Sequence, residues 1–477
     1  MASLHDELEK AQATHDAILR LVCAIPLPPH LGAAKCLPVD YACLRALASP
    51  HAAARALLGD VEAGWVDCAR AFKADDAGEV ASACGELRPK LERLACAARG
   101  ASRADLDEYL TGQVTCAWAS VLEHDAAFYK GGSGRNATAG ERCLEAVALD
   151  VVALTAREAR ALERSARDLA TKAGDCKRAC AKLRKAAGLW ESLAHAGDRT
   201  PIAFLDGLTE ALSFEQRPPE ATRACCAGAA LLASASAQRS AIALALAQNK
   251  LSDSLAAKLC GGVAEKLDAA RNASRDGAPK HHARLDAAAG NGAAADAGLF
   301  RGLRAYFCAR TAKAAEEHGG CVAWYRAAEA CLAPHIVGQA GAGADRPRDL
   351  DVLKTALAAQ RAEADHENSR VYYASVPPQK ELRPPPSLKT MGPEAPLCLI
   401  TDAEPVPLSA PTADDEALAR QLAASFAEED PSGGFGGGST FPASPPASEA
   451  APPPPPQASA LLSDEELARR LHEELNG

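Results

Sequence analysis

Seventeen cysteines and twelve histidines are the residues with most chemistry to offer here, and their spacing decides what they can do. No two histidines stand at metal-ligand spacing, and Cys225–Cys226 lies inside an apolar run, not in a Cys-x-x-Cys pair. The glycine run GGFGGG at 433–438 sits in a Pro/Ser/Gly-rich stretch, without the strand and helix that make a phosphate cradle. No catalytic residue, metal or cofactor is assigned, and an enzyme is not expected. The cysteines are scattered through helical segments, and Met1–Pro26 has none of the features of a secretory signal. Reduced, mostly buried thiols in an intracellular protein are expected.

Two patterns suit binding better than catalysis. DEALARQLAASF (Asp415–Phe426) and DEELARRLHEEL (Asp464–Leu475) are two copies of one design, forty-nine residues apart. Each places an acid, then Leu-Ala, then Leu on one side of a short helix: Asp415, Leu418, Ala419 and Leu422, then Asp464, Leu467, Ala468 and Leu471. The acids at each start favour the helix N-terminus through its dipole. The second pattern is a basic cluster, Lys177, Arg178, Lys182, Arg184 and Lys185, in a chain of net charge −10. Near an anionic lipid surface each such residue contributes on the order of 1 kcal/mol. The overall acidity gives no support to nucleic acid as a partner.

Helices must position these groups. Aromatics are only 4% and alanine dominates, which favours helix nearly everywhere. Residues 221–270 read as a central hairpin of two helices broken at Lys250–Ser252. Leu255, Leu259, Val263 and Leu267 line one face of the second helix, and Ser252 is its N-cap. The first helix is apolar almost all round and should be buried on most sides. Before the hairpin, helices are expected at 4–23 (Leu8, Ile18, Leu19 and Leu21 inward), 41–58, 61–71, 88–98, 106–128, 141–173 and 176–193. After it, a polar gap at 272–298 leads to a helix pair carrying Phe300, Leu303 and Phe307 and turning at 318–320, then a last long helix at 348–366. The fold class is all-α: a curved array of antiparallel hairpins with a tetratricopeptide-like core but no strict 34-residue repeat. Domain boundaries are expected at 1–395 for this array and 396–477 for a disordered Pro/Gly-rich tail, with short helices at 414–429 and 463–475.

The order of several segments resembles the Bro domain (Bro-one) family of ALIX-like endosomal sorting proteins. Asn368, Val371, Tyr372, Val376 and Pro377 stand in the order and spacing that close the family domain. Ahead of them, LASASAQRSAIALALAQNKLSDSLAAKLCGGVAEKLDAA resembles the family's central Ala-Gln helix and its partner. FRGLRAYFCARTAKAAEEHGGCVAWYRAAEACL resembles the next pair. The likeness is good from about residue 141 to 377 and weaker before, where the family's short strands and first helix are expected to be missing.

The resemblance implies a non-enzymatic adaptor, cytoplasmic and peripheral on endosomes. Its surface groove takes an amphipathic C-terminal helix of the filament-forming ESCRT-III subunit, by apolar anchors at helical spacing. The family's groove residues fall here on Cys225, Cys226, Ala229, Leu231 and Leu232, of which Leu232 matches the central position best. The basic cluster then implies contact with an anionic endosomal membrane. The tail repeats are similar to the inverted ubiquitin-interacting helix, which implies ubiquitin or ubiquitinated cargo as a further partner. Glu416 and Glu465 depart from that motif, which has an apolar residue there. The same domain also allows an alternative, a helical signalling scaffold of the pH-response or small-GTPase type.

Overall fold

The computed structural model describes residues 2–24, 36–38, 40–110, 116–122, 128–131, 138–170, 175–195, 202, 205, 217–277, 292–332, 346–388, 406, 408, 469–470 and 473. Its first part holds α1 (Ala2–Cys23), the short strand β1 (Cys36–Leu37), a 3-10 turn (Tyr41–Leu44), α2 (Arg45–Ala48), α3 (Ala52–Ala74), α4 (Ala77–Gly100) and α5 (Arg103–Tyr109). Strands β2 (Cys116–Ala119) and β3 (Phe128–Gly131) come before the long α6 (Ala139–Ala170) and α7 (Cys176–Ala194). The second part holds α8 (Arg223–Ala247), α9 (Asp253–Gly277), α10 (Gly292–Ala314), α11 (His318–Leu332) and α12 (Arg346–Glu367). The expected all-α array is present, each long helix from α6 to α12 packing on the next in sequence.

The connections follow local chemistry. Asp75 takes a left-handed conformation (φ 53°) to end α3, and the Asp76 carboxylate accepts from the amides of Gly78 and Glu79 (2.8 and 2.9 Å) to start α4. At the end of α8, Asn249 is left-handed (φ 52°), and the Lys250 amide reaches back to the Ala245 carbonyl at 3.0 Å. Ser252 then accepts the Leu255 amide at 3.2 Å, the N-cap expected for α9. Leu255, Leu259, Val263 and Leu267 are all buried.

Two apolar clusters form the interior. The first gathers α2 to α6, β2, the C-terminal half of α7 and the start of α8. The second gathers α1, the N-terminal half of α7, the rest of α8 and α9 to α12. Helices α6, α7 and α8 pass through both, α6 reaching the second with Ala166 and Ala170. α8 is long and apolar enough to cross a membrane, yet 78% of that apolar stretch is buried within the fold, so its surface is spent on neighbouring helices.

Several expectations are corrected. Residues 106–128 are not one helix: α5 ends at Tyr109, and Cys116–Ala119 forms the middle strand of an antiparallel three-stranded sheet. There Trp118 pairs with Cys36 and Tyr129, so short strands are present in the N-terminal part. Leu8 is 63% exposed, although Ile18 and Leu21 point inward as expected. The helices expected at 41–58 and 61–71 are redivided, because α3 runs unbroken from residue 52 to 74. The gap at 272–298 narrows, since α9 continues to Gly277 and α10 begins at Gly292. The turn between α10 and α11 falls at 315–317, where Glu316 is left-handed (φ 61°). Beyond residue 395, Val406 and Leu408 are buried in the first cluster, so packing reaches past that position.

Candidate partner-binding surface

α8 begins after RPPEA, where Pro219–Ala221 makes one 3-10 turn. Glu220 is buried in that turn and accepts from the Ser120 hydroxyl (2.7 Å) and the Leu122 amide (3.2 Å). Burial raises its carboxyl above the usual range, against the pull of the Ser120 hydroxyl and the Val121 amide. This bond fastens the start of α8 to the end of β2.

The first turns of α8 divide the five residues expected to line a groove. Cys225, Cys226 and Ala229 are 2%, 0% and 4% exposed and belong to the first core cluster. The Cys226 thiol donates to the Glu220 carbonyl at 3.0 Å, and burial holds that thiol well above its usual range. These three side chains pack inward and line no open surface. Their small size fits a tight helix contact instead: a Cβ on the adjacent Gly228 would stand 3.1 Å from the Ala270 carbonyl of α9. Leu231 and Leu232 are half-buried, and Leu232 packs on the edge of the second cluster. The surface read from the sequence therefore reduces to these two leucines.

One charged residue interrupts the apolar run between Arg223 and Lys250, and it is structural. Arg239 is 1% exposed, and its guanidinium donates to the Val22 and Leu21 carbonyls at 3.1 Å each and to that of Ala24. It thereby satisfies the carbonyls left open at the end of α1. It also pairs with buried Asp296, which in turn pairs with Arg346. The neighbouring Gln238 donates to the carbonyls of Leu259 (2.7 Å) and Leu388 (2.9 Å), and accepts from Lys266 (3.0 Å). Gln238 thus joins α8, α9 and the extended strap 382–388. A single charge inside an apolar helix is a legible sign of such a clamp.

The strap follows the closing motif. Asn368 is buried, and its side chain donates to the Ala374 carbonyl (2.9 Å) and accepts from the Ala374 amide (3.0 Å). This turn exposes Val371, Tyr372 and Tyr373, with Tyr372 stacked on His318 at 3.3 Å. Beyond it, the Leu388 amide donates to the Lys258 carbonyl (3.0 Å), and Arg304 donates to that of Pro385. Gly262 makes room, because a Cβ there would lie 2.2 Å from the Leu388 carbonyl oxygen.

The basic cluster on α7 is not one surface. Lys177 and Arg178 are exposed, and Arg178 stands 3.7 Å from Asp175. Lys182, Arg184 and Lys185 are half-buried, and Lys185 pairs with the buried Glu158 at 3.3 Å. Asp415, Leu418, Ala419, Leu422, Asp464, Leu467, Ala468 and Leu471 lie outside the described residues. Within the second repeat, positions 469, 470 and 473 are helical, and Arg469 pairs with Glu473 one turn on.

Residues 153–415, more than half of the chain, match the BRO1-like domain family. The chain belongs to this family. The match begins inside α6 and takes in α7 to α12, the strap and the buried Val406 and Leu408. No curated protein matches the chain. Among solved structures, it is similar to the ALIX BRO1 domain in a complex with CHMP4C: 15% identity over 67% of this chain and 81% of that one, TM-score 0.46. It is also similar to ALIX in complex with the SIVmac239 PYKEVTEDL late domain, at 14% identity over 75% and 48%, TM-score 0.48. A third is a Bro1 domain structure concerned with endosomal targeting, at 14% identity over 82% and 95%, TM-score 0.49.

Proposed function

We propose that this BRO1-like protein is a non-enzymatic endosomal adaptor that binds an amphipathic C-terminal helix of an ESCRT-III filament subunit. The observation that carries this is the position of Leu231 and Leu232. They remain half-exposed on a central helix whose neighbouring side chains are nearly all buried. Two adjacent leucines at the edge of a packed array offer an apolar seat for a helix with anchors at i, i+3 and i+4.

The test is fluorescence anisotropy of a labelled ESCRT-III C-terminal helix titrated with the full-length chain, wild type and Leu232→Asp. Saturable binding that the substitution abolishes, with the fold retained, supports the proposal. Equal binding by both, or none by the folded wild type, rejects it.

Two ancillary contacts belong to the same proposal. The tail repeats hold ubiquitin through Leu418, Ala419 and Leu422 and through Leu467, Ala468 and Leu471, two weak sites on one tether gaining by avidity on ubiquitin chains. Replacing Leu422 and Leu471 together with Asp should remove binding to a ubiquitin chain measured by calorimetry. The exposed Lys177 and Arg178, with Lys182 beside them, touch an anionic endosomal membrane. Flotation with phosphatidylserine vesicles should weaken when all three become Gln.

A further inference from the structure

A cavity of about 210 Å³ opens where α1, the end of α8, α10 and α12 meet. Leu246, which lines it, stands about four turns along α8 from Leu232, so this cavity is separate from the proposed helix seat. Ile18, Leu246, Tyr306 and Phe307 give it an apolar wall and are buried in the second core cluster. A cavity of about 150 Å³ holds benzene, and sites for drug-sized ligands begin at about 300 Å³. This one therefore takes a single ring or branched alkyl group with a short polar head.

The polar side of the cavity is rich in donors. Arg310 donates through Nε to Asp253 (3.0 Å), and its guanidinium carbon lies 5.8 Å from the Tyr306 ring centroid. Burial raises the Asp253 carboxyl above the usual range, against the pull of Arg310. Gln360 accepts the Tyr325 hydroxyl with its amide oxygen (3.1 Å), which leaves its amide N–H groups to donate. His15 is half-buried and has no hydrogen-bond partner among the described residues. Asp253 is the one carboxylate among the described lining residues, and Arg310 already neutralises it. A cation finds no uncompensated charge here. The oxygens of an anion, by contrast, answer the Gln360 amide, the His15 ring and the rest of the Arg310 guanidinium.

We propose that this cavity binds a carboxylate carried on an apolar or aromatic group. The ring or alkyl group packs on Tyr306 and Phe307, and the carboxylate takes N–H donors from Arg310 and Gln360. Two sources share this chemistry: a free aromatic or aliphatic acid, and the C-terminal residue of a peptide with a large apolar side chain. Both present one carboxylate within a few bonds of one apolar group, which is what a cavity of this size accommodates.

The test is saturation-transfer NMR on the full-length chain with four probes. These are hydrocinnamate, its uncharged amide, acetyl-Gly-Gly-Phe with a free carboxylate, and the same peptide amidated. At least one acid should bind saturably, and its amide should bind about tenfold more weakly or less, because a charge-assisted hydrogen bond is lost. Arg310→Gln should weaken the acid by about tenfold. Ala11 is exposed and lines the cavity, so Ala11→Trp should block entry and abolish binding without disturbing the core. Circular dichroism checks that both variants keep the fold. Tighter binding of hydrocinnamate assigns the site to a free acid, and tighter binding of the peptide acid assigns it to a chain end; either supports the proposal. Failure of both acids to bind the folded wild type overturns it. So does equal binding of acid and amide, or undiminished binding by folded Ala11→Trp.

Discussion

The two ends of α8 are built from the same small apolar residues and used in different ways. At the start, Cys225, Cys226 and Ala229 pack into the first cluster, and Leu231 and Leu232 remain half-open, Leu232 at the edge of the second. Further along, Gln238 and Arg239 turn buried polar groups toward α1, α9, α10 and the strap, and each polar atom used there finds a partner. One end keeps apolar surface available, and the other spends polar chemistry on holding five segments together. A helix with almost no amphipathic character can thus carry both a docking face and a structural clamp, because position along it decides the role.

The largest effect should come from breaking the clamp. Arg239→Ala leaves the Leu21, Val22 and Ala24 carbonyls without this donor and removes one partner of buried Asp296, which costs about 3–5 kcal/mol. Urea denaturation followed by circular dichroism measures it. Gly262→Ala comes next. The new methyl meets the Leu388 carbonyl oxygen and the Gln238 amide, 2.2 and 2.6 Å away, so the strap must shift at a cost of about 1–3 kcal/mol. Trypsin should then cut faster after Lys380, within the strap's approach.

Leu232→Asp sharpens the contrast from the other end. A half-buried position at the cluster edge should lose only about 1 kcal/mol, measured in the same urea titration, while the proposed helix binding is lost. A further effect concerns pH. Glu92 is 2% exposed beside Arg88 and Glu158, and burial raises its carboxyl to about 7 despite the pull of Arg88. The folded chain therefore binds this proton more tightly than the unfolded chain, whose value is near 4.5. That stabilisation is complete below about 4.5 and is lost as pH rises through 7. Glu92→Gln, which keeps a neutral side chain, should flatten this part of the Tm–pH profile.

What the sequence made legible is local. The apolar stripe of α9 and its Ser252 cap follow from residues three or four positions apart, and they stand as expected. The stretch around Trp118 does not. CAWASVL has the composition of a helix, but its extended form is fixed by pairing with residues 36–37 and 128–131, which no local pattern encodes. The same limit applies to the surface. Sequence spacing put Cys225, Cys226 and Ala229 on the helix that bears Leu232, but only the packing of α7 and α9 on that helix shows which sides are covered. Arg239 was visible as a lone charge in an apolar run, although its partners, more than two hundred residues away at the end of α1, were not. Leu8 fits the apolar side of α1 by spacing and is nonetheless exposed, because the packed part of that helix begins about two turns later, at Thr14 and Ala17.

The docking face itself can be tested by placing a photo-cross-linking residue at position 232 of the full-length chain and, in a second sample, at position 66. Val66 on α3 is 61% exposed, an apolar residue away from the proposed seat. Irradiation with the ESCRT-III C-terminal helix should give a cross-linked product from position 232 and none from position 66. Equal cross-linking from both, or none from position 232 while the helix still binds, would contradict the assignment of Leu231 and Leu232 as the seat.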